Sequence, residues 1–348
     1  MSASLGFDNL MKNVVKTGIC SGCGACVIVC PFKNILKYSN EQPVLIGECK
    51  KCSICPKVCP RNNIQNDKLE ELIFNRRKTS EDLFGIFKNI YVSRSKDAKI
   101  LKKAQDGGIA STLLISALNS GLIDGSIVSG VDPFTPWLPT PLVVKCIEDI
   151  IDHAGTRYTY SPNIIALKKA IDDGLKKIAF VGTPCQILAI RWMQKNNLKK
   201  FTKPIVFTIG LFCSESFSYQ GLMIEKIQKG LNIDLNDIVK MNIKGKMLLY
   251  LRNGSIVKIP LKEVKEFAQQ KCSYCNDFSA ELADISLGGI GLNQMTLTIV
   301  RTDKGQEVFN QVLDNNYLEF EPLEKFGNSL KLLKRLSLIK QKKRKNVT

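Results

Sequence analysis

Two cysteine runs near the start of the chain share one spacing, and each closes on a proline. Residues 20–31 and 49–60 both follow C-x2-C-x2-C-x3-C-P. Three closely spaced thiolates can hold three corners of one 4Fe–4S cubane, and the fourth cysteine of each run then binds the other cluster. Paired zinc sites would leave the third C-x2-C step and both prolines unexplained. The predicted ligand sets are Cys20, Cys23, Cys26 and Cys59 for one cluster and Cys49, Cys52, Cys55 and Cys30 for the other.

The composition also favours iron–sulfur clusters over other uses of cysteine. The 348 residues include 13 cysteines and one histidine, His153, which excludes histidine-rich zinc and non-haem iron sites. The N-terminal segment lacks an apolar signal region, and no apolar run approaches the roughly 18 residues of a membrane span. We therefore expect a cytoplasmic chain, in which bound metal is a better interpretation of many thiols than disulfides.

Four later cysteines form a less regular group. Cys185 and Cys213 each follow an apolar, β-branched run typical of a buried strand and precede a helix-like segment. A thiolate near a helix N-terminus is electrostatically favoured. Together with Cys272 and Cys275 they could hold a third 4Fe–4S cluster; alternatively, Cys185 and Cys213 are buried structural thiols and only the CSYC pair binds a ligand. Cys146, in the strand-like PLVVKCIED, is predicted to be a core residue.

The order of the segments predicts two domains and a tail. Residues 1–75 form a bacterial-ferredoxin-like module with two 4Fe–4S clusters, in an α+β arrangement, and the charged stretch NDKLEELIFNRRKTSED (66–82) is predicted to be a helical linker. Residues 76–328 alternate strand-like and helix-like runs, which predicts a larger mixed α/β domain with a largely parallel sheet. An Asn253-Gly254 pair between two β-rich segments predicts a hairpin. Residues 329–348 form a basic tail.

One-electron clusters need a converter to take part in two-electron chemistry, and the usual converter is a flavin. The chain has no GxGxxG fingerprint after a strand, since the nearest candidate, GGIGLN, continues with Gln294, and it has no P-loop. The turn AQDGGIAS (104–111) could present backbone amides at a helix N-terminus to an anionic or carbonyl group. Taken alone, the turn is better interpreted as an ordinary loop.

An ordered series of motifs spans nearly the whole chain. It includes GICSGCGACVIVCP, CSICPKVCP, FKNIYVSRS, QDGGIAST, AGTRYTYSP, VGTPCQILAIR, GLFCSES, KCSYCNDFSAELADISLGGIG and VRTDKG. In this order the chain resembles the family of coenzyme F420 hydrogenase/dehydrogenase beta subunits, in its form with two ferredoxin clusters. The resemblance implies an FAD-binding α/β domain, and a further 4Fe–4S cluster on Cys185, Cys213, Cys272 and Cys275. The flavin-site candidates that it implies are Asp106, Gly107, Gly108, Ser111, Thr156, Tyr158, Ser161, Thr183 and Gln186.

The resemblance also implies a reaction. Coenzyme F420 is the substrate that exchanges a hydride with FAD, and single electrons pass through the clusters to or from a redox protein partner. That partner is a respiratory complex, a hydrogenase, a formate dehydrogenase or a ferredoxin. Arg157 and Arg191 could meet anionic groups of a cofactor or substrate, or be surface charges, and His153 is expected to pack near the AGTRY turn.

Two other functions remain open from the sequence. The first is a ferredoxin-dependent flavoprotein that reduces a pigment or another organic substrate. The second is an electron-transfer subunit without its own coenzyme site, although this would leave some 270 residues of α/β domain without a role.

The basic excess is concentrated at the C-terminal end of the chain. The net charge is +18, and residues 331–348 hold eight Lys or Arg and no acidic residue. Leu330, Leu333 and Leu336 could line one face of a helix there. Such a tail suits an anionic membrane surface, where the chain would be peripheral on the inner face, or an acidic partner, or it is a solvated terminus. Nucleic acid is not expected as a partner, because no aromatic-interleaved basic patch accompanies the charge.

Overall fold

The computed structural model describes residues 6–63 and 65–345. The first five residues of the predicted module, residue 64, and the last three residues of the predicted tail lie outside this range. Within it, no helix is long and apolar enough to cross a membrane.

The N-terminal module is built from very short elements around its cysteines. Gly24 (φ 80°) and Ser53 (φ 61°) take left-handed conformations at the same place in the two cysteine runs, and a single helical turn follows each. The predicted linker helix is correct only in its first half, because the chain leaves the helix at Asn75 (φ 53°). The elements are α1 (Phe7–Leu10), a π-helical turn (Met11–Val15), α2 (Ala25–Ile28), the antiparallel pair β1 (Leu36–Ser39) and β2 (Gln42–Leu45), α3 (Ile54–Val58) and α4 (Asp67–Phe74).

The larger domain contains an eight-stranded sheet with the order β13-β3-β12-β11-β7-β6-β4-β5. Only its centre, β11-β7-β6-β4, is parallel, and every pair outside the centre is antiparallel. The prediction of a largely parallel sheet is therefore wrong at both sides. Short connections join β4 to β5 and β11 to β12, and such connections force antiparallel pairing. The strands are β3 (Asn89–Ser95), β4 (Gly125–Val131), β5 (Pro139–Val144), β6 (Ile178–Gly182), β7 (Ile205–Leu211), β11 (Ile285–Gly288), β12 (Thr296–Val300) and β13 (Leu318–Glu321).

A three-stranded antiparallel sheet lies beside the large one. It contains the predicted hairpin, whose two strands turn at Asn253-Gly254. Its strands are β8 (Ile238–Ile243), β9 (Lys246–Leu251) and β10 (Ile256–Pro260), packed with the π-type helix Tyr219–Gly230.

Helices cover the faces of the large sheet, and buried apolar side chains fill the layers between them. The module shares this core, since Phe7 and Val58 belong to the same buried cluster as Ile164 and Met193. The helices are α5 (Ala98–Lys103), α6 (Ile109–Asn119), α7 (Ile147–Asp152), α8 (Ile164–Asp172), α9 (Pro184–Lys195), α10 (Lys199–Thr202), α11 (Leu261–Lys265), α12 (Asp303–Asp314) and α13 (Gly327–Lys345), with 3-10 turns at Leu235–Asp237, Gln270–Tyr274 and Leu323–Phe326.

The basic C-terminal segment is helical and packs on the body of the protein. Leu333 of α13 is fully buried, and Leu330 and Leu336 pack against the same cluster, beside Phe84 and Leu297. The three leucines therefore line one face of a helix, as predicted. The face that they form is covered by the domain itself.

One edge of the sheet gathers the segments singled out by the sequence. The parallel strands β6, β7 and β11 end there, at Gly182, Leu211 and Gly288, and β12 begins there at Thr296. In open α/β sheets this carboxyl-end edge is where ligands bind.

Candidate metal and cofactor sites

The first two predicted ligand sets are assembled by the module. We call Cys20, Cys23, Cys26 and Cys59 the proximal set, and Cys30, Cys49, Cys52 and Cys55 the distal set. In the proximal set, burial raises the pKa of Cys23, and the neighbouring thiols of Cys59 and Cys20 raise it further. The four thiols of the distal set line one cavity beside Phe7 and Pro31.

Burial also raises the pKa of the distal thiol Cys55 to about 12, and the thiols of Cys49, Cys52 and Cys30 add to this shift. Metal ligation requires the thiolate, so thiols gathered in this way need the positive charge of a bound metal centre to lose their protons. The backbone N–H of Phe7 donates to Cys49 Sγ at 3.4 Å, a contact that favours the thiolate. Four converging thiols with such a donor fit a 4Fe–4S cluster.

The four later cysteines converge as well, and we call them the third set. Cys185 lies in the first turn of α9, Cys213 follows β7, and Cys272 and Cys275 lie at the 3-10 turn that precedes β11. All four line one cavity. The backbone N–H of Ser216 donates to Cys272 Sγ at 3.4 Å. This arrangement fits a third cluster, because strand ends and loops far apart in the sequence bring four thiols to one place.

A buried lysine from the C-terminal helix closes this third set. Lys340 of α13 is 4% exposed, and its Nζ donates to the carbonyl of Cys272 at 3.4 Å. Burial acts to lower the pKa of Lys340, but the thiols of Cys275, Cys213 and Cys272 together hold it above its usual value. The helix thus places a positive charge against four thiols that would carry negative charge as ligands.

The proximal and third sets adjoin each other across the interface between module and domain. Arg61 of the module donates through its guanidinium to the carbonyls of Tyr274 and Lys271, at 2.5 and 3.0 Å. The ammonium of Lys271 pairs with Glu41 at 2.6 Å and lies 4.3 Å from the ring centroid of Tyr160. These contacts tie the loop of the third set directly to the module.

The electrostatic neighbours of the thiols give the order of the three sets. Cys185 of the third set acts on the pKa of Cys20 and Cys23, and Cys55 of the distal set acts on that of Cys26. The proximal set therefore lies between the other two. The arrangement is a series: distal, proximal, third.

The predicted QDGGIAS turn lies at the carboxyl-end edge of the sheet. Gly107 donates its N–H to Thr296 Oγ1 at 3.0 Å, and a side chain there would collide with the backbone of Ser93. Gly108 is the left-handed residue that begins α6, and no side chain caps this helix N-terminus. Uncapped N–H groups at the start of an 11-residue helix suit an anionic or carbonyl group of a ligand.

Asp106 lies over Gly289, the residue that follows β11. A Cβ atom on Gly289 would lie 1.8 Å from Asp106 Oδ2, so only glycine admits the carboxylate there. Burial raises the pKa of Asp106, against the lowering effect of Lys244 and Lys240. The turn therefore combines a half-buried carboxylate with two cations and a helix N-terminus.

Tyr158 connects this turn to the third set. Its hydroxyl accepts from Gln105 at 3.3 Å and from the N–H of Ile243 at 3.1 Å. Its carbonyl accepts from the N–H of Phe217 at 2.9 Å and from Ser216 Oγ at 3.4 Å. One residue thus contacts both the segment next to Asp106 and the loop next to Cys272.

Three other flavin-site candidates form an internal hydrogen-bond network. Gln186 is 1% exposed; its side chain accepts from the N–H of Thr183 and donates to the carbonyl of Ser161. Ser161 Oγ in turn donates to Asn163 at 2.7 Å. Thr183 Oγ1 lies 3.3 Å from Cys185 Sγ, beside the third set. These side chains hold the start of α9 in place. Ser111 is buried in the first turn of α6, and Thr156 is half-buried in the loop between α7 and α8.

Arg157 and Arg191 have structural partners. The guanidinium of Arg191 is buried and lies 3.1 Å from Asp284 Oδ1, so it is not a surface charge. Arg157 donates to the carbonyls of His153, Ala154 and Gly155, which closes the loop after α7 and places His153 at the AGTRY turn, as expected.

The prediction for Cys146 is wrong. β5 ends at Val144, two residues before it, so Cys146 lies at the start of α7 and is exposed rather than in the core.

Sequence reasoning missed the cations of these sites. Lys271 is adjacent to Cys272 in the sequence, so its position could have been suspected. Lys340 gives no local signal, since it is one of eight basic residues in the tail. Among the residues that the structure describes, no group of three or more His, Cys, Asp or Glu side chains has the geometry of a single metal-ion site.

Comparison with known proteins agrees with this architecture. Three family models match: a 4Fe-4S dicluster domain at residues 12–70, the N-terminal domain of the coenzyme F420 hydrogenase/dehydrogenase beta subunit at 90–168, and the C-terminal domain of the same subunit at 175–325. The class that these models define is an iron–sulfur subunit of coenzyme F420-dependent oxidoreductases.

Individual relatives support the assignment. The coenzyme F420 hydrogenase subunit beta of Methanosarcina barkeri is 39% identical over 73% of this chain and 88% of its own length. A subunit of the F420H2 dehydrogenase of Methanosarcina mazei is 31% identical over 95% and 92%. The coenzyme F420-dependent sulfite reductase of Methanocaldococcus jannaschii is 35% identical over 97% of this chain and 52% of its own length.

A solved structure also matches. A chain of the F420-reducing NiFe hydrogenase complex of Methanosarcina barkeri superposes with a TM-score of 0.73 at 37% identity, covering 78% of this chain and 94% of that one. This protein belongs to the family of coenzyme F420 hydrogenase/dehydrogenase beta subunits and carries an N-terminal 4Fe-4S dicluster domain.

Proposed function

We propose that the chain is an iron–sulfur flavoprotein that exchanges a hydride between coenzyme F420 and bound FAD and relays single electrons through three 4Fe–4S clusters. The observation that carries this proposal is the continuity of the sites. Phe212, next to Cys213 of the third set, packs at Gly288, and the adjacent Gly289 lies under Asp106 of the candidate flavin turn. A series of cysteine sets that ends at this turn is what conversion between two-electron and one-electron transfer requires.

FAD, when bound, accepts a hydride from reduced coenzyme F420 and releases its two electrons one at a time. The chain's own residues bind and orient. The uncapped N–H groups of α6 and the ammonium groups of Lys240 and Lys244 are suitable partners for anionic or carbonyl groups. The proposed ligand sets are the proximal, distal and third cysteine sets. None of these tasks needs a general base, which agrees with a single histidine that only packs against a turn.

Relatives point to the same reaction class by name. The matched proteins are called subunits of an F420 hydrogenase and of an F420H2 dehydrogenase, and an F420-dependent sulfite reductase. We therefore propose that this chain, too, works with a redox partner, and that coenzyme F420 is its substrate.

The test uses the full chain, reconstituted anaerobically with iron, sulfide and FAD. Reduced coenzyme F420 should bleach the flavin and cluster absorbance, and oxidised coenzyme should appear in proportion. A protein that retains no flavin, or that is reduced by a ferredoxin but not by the coenzyme, would contradict the proposal. The second outcome would favour the ferredoxin-dependent reductase instead.

The Gly289→Ala substitution tests the location of the flavin site. The new Cβ would displace the Asp106 carboxylate, so we expect the flavin content per chain to fall severalfold while the iron content is kept. Gly327→Ala is the matched control, because a Cβ there meets no atom within 4 Å. Unchanged flavin content in Gly289→Ala would mean that the flavin does not bind at the Asp106 turn.

A further inference from the structure

The distal cysteine set lies at the end of the series that is open to solvent. Cys52 is exposed, whereas the other eleven proposed ligands are buried or half-buried. The cavity that the distal set lines is bordered by Phe32 and Lys50, both of which are exposed. Electron transfer weakens steeply with distance, so an external one-electron carrier exchanges fastest with the cluster closest to the surface.

An apolar surface surrounds this exposed end. Phe32, Val44, Leu45 and Ile46 are 42%, 40%, 38% and 54% exposed. Leu45 pairs across the β1–β2 hairpin with Leu36, and the N–H of Ile46 donates to the carbonyl of Ile35 at 2.9 Å. Ile35 and Leu36 themselves line the distal cavity, so the apolar surface continues directly from the wall of the cluster site. A concentration of exposed apolar side chains of this kind marks an interaction surface.

The charge on this surface has one predominant sign. Lys33, Lys37, Lys50 and Lys51 are exposed, and the exposed acidic residue between 31 and 52 is Glu48, which pairs with Lys50 at 2.8 Å. We define the distal face as these lysines together with Phe32, Val44, Leu45, Ile46 and Cys52. An apolar centre with a basic rim complements a partner with an acidic rim, because opposite charges steer the encounter and fix its orientation.

We propose that the distal face is the docking site of a small acidic one-electron carrier protein, such as a low-potential iron–sulfur protein. This rests on the proposed function and names the partner of its electron-transfer end. In each encounter one electron passes between the carrier's centre and the distal cluster, so that one centre is oxidised as the other is reduced, and no proton moves. Complexes of this kind are small and short-lived, which fits a face of about ten residues.

The experiment compares two double variants of the reconstituted full chain. Lys33→Glu/Lys51→Glu reverses charge on the distal face. Lys176→Glu/Lys258→Glu makes the same change in net charge at two exposed lysines of the larger domain. The probe is an acidic bacterial two-cluster ferredoxin, reduced and mixed with oxidised protein in a stopped-flow instrument over a range of salt concentrations.

We expect the second-order rate constant of the unmodified protein to fall as salt rises. At low salt it should drop at least about tenfold in the distal-face variant, with little salt dependence left, since electrostatic steering contributes about 10- to 1,000-fold. The control variant should stay within about twofold of the unmodified protein. A rate constant that is unchanged in both variants would overturn the proposal. So would an equal loss in both variants, because it would show an effect of net charge alone.

A second variant separates docking from charge. Phe32→Ser/Ile46→Ser should raise the ferredoxin concentration at which the observed rate is half-saturated, without changing the salt dependence of the rate. If the distal-face variants instead abolish self-association in sedimentation, or binding to anionic lipid vesicles, while ferredoxin oxidation is unaffected, the face serves another occupant and the proposal is wrong. Reduction by coenzyme F420 is measured separately, so a chain that the ferredoxin reduces and the coenzyme does not would contradict the proposed function and leave the docking site standing.

Discussion

The chain gathers cysteines in two different ways. In the module, each run places its thiols within a few residues, on loops and single helical turns. In the larger domain, the third set combines thiols from the ends of β6 and β7 and from a 3-10 turn some 60 residues later. The first arrangement follows from local chain geometry, whereas the second exists only when the sheet has formed.

The two regions therefore differ in what stabilises their folded structure. In its described residues, 6–63 and 65–75, the module has two short strands and no helix longer than eight residues, so most of its interior lies around the cysteines themselves. Small domains that bury little apolar surface often need disulfides, bound metal or oligomerisation to be stable. The third set lies at the edge of a sheet whose strands β6 and β12 are buried throughout, and that sheet does not need the thiols to form a core.

The largest expected effect is the response to iron removal. A chelator under reducing conditions should unfold much of residues 6–63, because the interior of the module is built on clusters. The amides of the eight-stranded sheet should stay protected from hydrogen exchange. Hydrogen–deuterium exchange followed by peptide mass spectrometry would show this. Simultaneous loss of protection in β6 and β7 would break the comparison and mean that the two regions fold as one unit through their shared core.

A smaller and more specific effect distinguishes the individual cysteines. Cys213→Ala should remove about four of about twelve irons and leave the domain folded, whereas Cys26→Ala should remove about eight, because losing one module cluster destabilises the other. Iron content and circular dichroism measure both. Cys146→Ala is the control and should keep all the iron, since this thiol is exposed and outside the three sets. Full iron content in Cys213→Ala would mean that Cys213 is a structural thiol and not a cluster ligand.

The same contrast explains what could be predicted from the sequence. The module was predictable because its ligand geometry is local, and the hairpin at Asn253-Gly254 was predictable because turn chemistry is local too. The antiparallel sides of the sheet could not be predicted, because an alternation of strands and helices gives the same sequence pattern for a parallel and an antiparallel outer strand. The residues of the third set were grouped by their positions after strand-like runs, but only the family resemblance favoured a third cluster over structural thiols. Nothing in the spacing of Cys185 and Cys213 indicates that a sheet edge brings them together.

The cation at the third set was unpredictable for the same reason, and it gives the smallest of the expected effects. Lys340→Met keeps the volume of the side chain and removes its charge. A positive charge near a cluster favours the reduced state, so its removal should lower the reduction potential of the proposed third cluster by on the order of 100 mV. This is the effect of a unit charge at about 6 Å in an effective dielectric of about 20. Lys342→Met is the control on the same helix, because Lys342 is exposed.

The Lys340 measurement separates a charge effect from a packing effect. Redox titration followed by electron paramagnetic resonance reads the potential of each cluster, and iron analysis reads occupancy. A lower potential at full iron content would mean that the C-terminal helix tunes the proposed third cluster, as Arg61 and Lys271 are placed to act on Cys20 of the proximal set. An unchanged potential with reduced iron content would mean that Lys340 only closes the cavity. In that case the contrast between the two regions would be confined to how the chain brings the thiols together.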